Sequence, residues 1–149
     1  MKFKVEVIPN FRIAYMQRVG QYGPDNIKVM ENLKQWAKEK NLLESAILFC
    51  ISHDKPETTL PENCRFDACI VISDDYQVDD SVLERRLSGG KYLTCEVKHT
   101  AADIQKAYSD IFQSLQNNGY EMDEKPIMEK YTGDRTNNNY CEICVPVKR

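Results

Sequence analysis

The sequence predicts an α+β fold: a duplicated β-α-β-β unit forming a pseudo-two-fold antiparallel sheet of about eight strands, with two long helices on one face and a central cleft. Three observations lead there. Apolar residues recur at helical spacing once in each half of the chain: Ile27, Met30, Leu33, Trp36 and Ala37, then Ile104, Ala107, Tyr108, Ile111, Phe112 and Leu115. Each stripe follows a strand-like segment and precedes two more. Matched features lie roughly 75–78 residues apart, which marks an internal repeat. A chain of 149 residues suits a single domain, here of two similar halves at about 1–80 and 81–149.

The elements follow in order. Residues 1–8 alternate polar and apolar and read as a strand, and 11–19 as a second. Gly20, Gly23 and Pro24 mark a turn, with Pro24 suited to the first position of a helix running from Asp25 to about Lys40. Residues 45–52 are an apolar strand, and a loop with two prolines leads to another at 65–73. In the second half, Ser88-Gly89-Gly90 is a turn and Lys91–Val97 a strand. Thr100 is the expected N-cap of the second helix, with Asp103 three residues on as its partner. Asn117-Asn118-Gly119 ends that helix, Gly119 suiting the left-handed position after it. Strands at 126–131 and 140–147 complete the chain.

Composition excludes several function classes. A net charge of −3 with no dense basic cluster argues against direct nucleic-acid binding. There is no signal-peptide h-region and no run of transmembrane length, so a cytoplasmic protein without membrane association is expected. Without a secretory signal the six cysteines read as reduced structural thiols. Cys141-x-x-Cys144 lies within a strand, which sends its sulfurs to opposite faces, and no other Cys/His pair has zinc spacing. His53 and His99 have no triad partner at a recognisable spacing. Asp74-Asp75 and Asp79-Asp80 lack the ordered ligands and glycine of a calcium loop. No metal and no cofactor are expected.

The most informative residue is Glu142, in the closing segment Tyr140-Cys141-Glu142-Ile143-Cys144-Val145-Pro146-Val147. Aligning Tyr140 with Phe66 of the first half places Glu142 opposite Ala68. Phe66, Ala68, Ile70 and Ile72 share one apolar strand face, so the same parity turns Glu142 inward beside Tyr140. A carboxylate there needs a cationic or hydrogen-bonding partner, either internal or a ligand.

Three segments together resemble one family: Gly89-Gly90-Lys91-Tyr92 leading into a strand, Glu129-Lys130-Tyr131 before a polar loop, and the closing Glu142-Ile143-Cys144-Val145-Pro146-Val147. In this order and spacing, and with the duplication, they resemble the GyrI-like small-molecule-binding domain, also called the AraC-type effector-binding domain. The resemblance implies a central cleft that accepts hydrophobic, often cationic, compounds, with the closing-strand glutamate, here Glu142, as its acidic group. Many relatives carry this domain behind a DNA-binding segment. No residues precede the first strand here, so a stand-alone form is expected.

The leading expectation is therefore a non-enzymatic, transcription-regulator-related protein that binds hydrophobic or cationic small molecules. Its candidate ligand-binding residues are Glu142, Trp36, Tyr92, Tyr131, Tyr140, Phe66 and Phe112. Each aromatic has core packing as its alternative reading, favoured for Tyr108 and Phe112 by their place on the helical stripe. The resemblance also implies an alternative, a hydrolase acting on cyclopropane-bearing genotoxins with Glu142 as the acid/base. A further alternative is a gyrase-inhibitor-like protein-interaction module, which leaves a protein partner or a homodimer open.

Overall fold

The structure is a computed structural model and describes residues 3–132 and 140–148. Its eleven elements run β1 (Phe3–Ile8), β2 (Arg12–Val19), α1 (Pro24–Glu39), β3 (Ile47–Ser52), a 3-10 turn (Pro61–Asn63), β4 (Arg65–Val71), β5 (Leu83–Arg86), β6 (Gly90–Lys98), α2 (Ala101–Asn117), β7 (Met128–Thr132) and β8 (Tyr140–Pro146). All eight strands join one antiparallel sheet in the order β1-β6-β8-β7-β3-β4-β2-β5. The β-α-β-β unit of each half is preceded by one further strand, β1 or β5. Each of these pairs with the other half: β1 on β6, and β5 on β2.

The register shows the duplication directly. The pair Met16↔Ala68 recurs as Leu93↔Val145, and Ile51↔Asp67 as Met128↔Cys144, a displacement of 77 residues in each case (16 to 93, 51 to 128). Ile51 and Met128 also pair with each other, so the pseudo-two-fold axis passes between β3 and β7. Both helices lie on one face. From α1, Met30, Leu33, Trp36 and Ala37 pack on Ala14, Phe66, Ala68 and Ile70. From α2, Ala107, Ile111 and Leu115 pack on Leu93, Cys95, Ile143 and Val145. The face away from the helices, called distal below, has its own core, in which Ile13, Phe49, Ile51, Cys69, Met128 and Cys144 cluster with Ile8, Leu87 and Tyr92. The central strands are thus covered on both faces.

Local chemistry sets the element ends. Pro24 opens α1. Thr100 caps α2 by accepting from the Asp103 amide at 3.1 Å. Gly119 follows α2 at φ 69°, a left-handed conformation that glycine adopts without strain. Gly89 has a different reason to be glycine: a Cβ there would strike the carbonyls of Ile8 and Pro9, where the two halves meet. Gly89→Ala should therefore cost about 1–3 kcal/mol through forced backbone movement. A lowered urea midpoint at unchanged slope would register it, and wild-type stability would contradict this contact.

One expectation fails. Aligning Phe66 with Tyr140 displaces the repeat by 74 residues (66 to 140), three fewer than the register gives, and an odd error reverses strand parity. Ala68 corresponds to Val145, and Glu142 to Arg65. On β8 the helix-facing residues are Cys141, Ile143 and Val145, so Glu142 stands on the distal face. Cys141 and Cys144 lie on opposite faces as expected, and all six cysteines are free thiols. No helix among the described residues is long and apolar enough to cross a membrane.

Candidate functional site

The helix-side surface of β3 and β7 carries Cys50 and Ser52 on one strand and Glu129 and Tyr131 on the other, because side chains alternate outward from the Ile51–Met128 pair. A cleft of about 330 Å³ lies over this strip, beside α1. That volume lies within the usual range for small-molecule sites. From α1 the cleft is lined by Asn26, Ile27, Met30, Glu31 and Lys34, and from β4 by Phe66. His99, at the junction between β6 and α2, closes another side.

The cleft has two acidic groups, Glu31, which is exposed, and Glu129, which is half-buried at its floor. Among the described residues the Glu129 oxygens are met by phenols and not by a cation. The Tyr131 hydroxyl donates to Oε2 at 3.1 Å, and the Tyr108 hydroxyl, from α2, makes a longer contact to Oε1 at 3.4 Å. Tyr131 also meets His99 Nε2 at 3.2 Å, with the two rings edge to face at 5.4 Å. A phenol that gives its proton to Glu129 can only accept from the imidazole, so this arrangement assigns the proton to His99 Nε2. Burial, then the charge of Glu129 among its neighbours, pushes both phenols well above their ordinary pKa, so they stay donors at neutral pH. The Cys50 thiol, opposite Glu129 in the register, is likewise pushed up by burial and then by Glu129. It is a neutral wall atom, not a thiolate nucleophile.

Of the residues singled out from sequence, Phe66 and Tyr131 line this cleft. Trp36 does not: it is 5% exposed in the α1–sheet core, its indole N–H given to Asp79 at 3.1 Å. Phe112 is exposed on α2 and stacks on Tyr108 at 6.5 Å. Tyr92 is buried on the distal side, its hydroxyl donating to the Ser88 carbonyl. Tyr140 and Glu142 border a separate recess of about 20 Å³, which also includes Glu96 and Lys130. One Glu142 oxygen is buried there without a hydrogen-bond partner among the described residues. Glu129 belongs to the Glu129-Lys130-Tyr131 segment but is not among the candidate binding residues read from the sequence. The signal that identifies it is the Glu129-x-Tyr131 spacing, which puts carboxylate and phenol on one strand face.

The chain is similar to known proteins over its whole length. The GyrI-like small molecule binding domain matches residues 1–148. The "SPbeta prophage-derived putative transcriptional regulator YosT" of Bacillus subtilis (strain 168) is 34% identical over 99% of this chain and 100% of its own length. A protein named DNA gyrase inhibitor, from Escherichia coli (strain K12), is 24% identical over 96% of this chain and 93% of its own. Among solved structures, the C-terminal domain of EcmrR superposes with a TM-score of 0.75 at 17% identity, covering 99% of this chain and 98% of that one. SAV2435 bound to tetraphenylphosphonium gives 0.56 at 14%, covering 99% and 94%.

Proposed function

Since this chain belongs to the GyrI-like family of small-molecule-binding domains, we propose that its helix-side cleft binds a lipophilic organic cation over the Glu129 carboxylate. The observation that carries this reading is a half-buried carboxylate whose oxygens rest on two phenols and, among the described residues, pair with no cation. An incoming cation supplies that charge without displacing an ion-pair partner among the described residues. The Phe66 and Tyr131 rings add apolar contact, and cation–π attraction contributes on the order of 0.5–2 kcal/mol per ring. The tetraphenylphosphonium complex of a protein with this fold supports the ligand class.

Calorimetric titration with tetraphenylphosphonium and a panel of flat cationic dyes tests the reading. Saturable binding is expected, with the ligand recovered chemically unchanged. An absence of saturable binding across the panel would overturn it, and ligand consumed at sub-stoichiometric protein would turn the assignment to the hydrolase alternative. The likeness to a protein named DNA gyrase inhibitor supports a second reading, a protein partner for the same domain. A supercoiling assay with purified gyrase, with and without the cation, separates the two.

A further inference from the structure

The distal face carries a second cavity with the opposite chemistry, and we propose that it binds a small organic carboxylate, independently of the cation cleft. It lies behind the same strand pair, reaching Ile51 and Met128 from the other side of the sheet. Its volume is about 190 Å³, equal to about six waters of liquid. Ile51, Leu87, Met128 and the Tyr92 ring make apolar walls. Arg85 and His53 supply a basic end, and the exposed Ser88 stands at the rim.

The basic end is held from behind. Asp67, 1% exposed on β4, accepts from Arg85 Nη2 at 2.8 Å and from Gln17 Nε2 at 2.8 Å, and meets His53 Nε2 at 2.7 Å. Arg85 also lies over the Tyr15 ring at 4.9 Å and makes one long contact to its neighbour's carbonyl, at 3.5 Å. A guanidinium has five N–H donors, so Arg85 keeps several for a ligand. A carboxylate binds with His53 as the imidazolium, one ring N–H on Asp67 and the other on the ligand, so that two acids, Asp67 and the ligand, face two cations, Arg85 and His53. The apolar walls ask for a compact hydrocarbon body. A benzene ring bearing one carboxylate has the required shape and charge.

The five methionines include one in each cavity, Met30 in the cation cleft and Met128 in the distal one, so methyl-labelled methionine gives each site its own NMR signal. Benzoate should shift the Met128 methyl saturably and leave Met30 in place, and the uncharged analogue benzyl alcohol should bind at least about tenfold more weakly, the scale of one lost charged hydrogen bond. Ser88→Trp, at an exposed rim position, should abolish the Met128 response. His53→Gln, which can still donate to Asp67, should weaken it about tenfold. The response of Met30 to tetraphenylphosphonium checks that each variant is folded. It also keeps the two sites apart, because failure of that response alone removes the cation reading and leaves this one standing. The proposal is overturned if Met128 does not respond to benzoate, if benzyl alcohol binds equally well, or if folded Ser88→Trp responds like wild type.

Discussion

Asp67→Ala should destabilise the fold by about 3 kcal/mol, the low end of the range for stranding half of a buried ion pair. The side chain is 1% exposed and takes three hydrogen bonds, from Gln17, His53 and Arg85. Alanine leaves a guanidinium, an imidazole and an amide facing an empty site. Arg85 and His53 keep 30% and 21% side-chain exposure, so water recovers part of the loss and the high end of the range is not reached. A pH signature accompanies the effect. Burial raises the Asp67 carboxyl, but the bonds from His53, Arg85 and Gln17 outweigh it and bring the pKa below its ordinary value. A carboxyl lowered on folding stabilises fully above its unfolded pKa, and that contribution is lost as pH falls through the folded value. Wild-type urea midpoints should therefore drop on acidification below the ordinary carboxylate range, and Asp67→Asn should flatten that part of the profile. An Asp67→Ala protein as stable as wild type at neutral pH would show that the network contributes little.

Glu129→Gln should lower the affinity for tetraphenylphosphonium by about 1.5–3 kcal/mol, the scale of a charged hydrogen bond, while moving the melting temperature little. Glutamine keeps the volume and one oxygen to accept from Tyr131 or Tyr108. It removes only the charge, with which no cation among the described residues forms an ion pair. Glu142→Gln should leave the same affinity unchanged, since Glu142 lies on the other face of the sheet beside Tyr140 and Lys130. Loss of binding in both variants to the same degree would mean that long-range charge, not the cleft geometry, governs affinity.

The helices were legible in the sequence because each packs on one face only, and a one-sided stripe shows its period. Thr100 and Gly119 marked the ends of α2 for equally local reasons. The edge strand β1 could be located for the same reason, by its polar–apolar alternation, but the parity of β8 could not. Its helix side carries Cys141, Ile143 and Val145, its distal side Cys144 and Pro146, and both sides are buried. A strand covered on both faces loses the alternation that fixes parity. The polar residue that stands out, Glu142, then draws the alignment three residues astray. β5, with the sequence Leu-Glu-Arg-Arg, passed unmarked because an exposed four-residue edge strand has almost no pattern. Glu129 was hidden differently. Its segment is short and polar, and its neighbours Cys50 and Ser52 come from the other half of the chain, brought beside it only by the β3–β7 pairing on the pseudo-two-fold axis.

A crystal structure of the complex with tetraphenylphosphonium tests the central claim most directly. The phosphonium is expected in the cleft between α1 and the β3–β7 strip, its rings against Phe66 and Tyr131 and its charge over Glu129. A cation seated on the distal face beside Glu142, with the helix-side cleft empty, would contradict it.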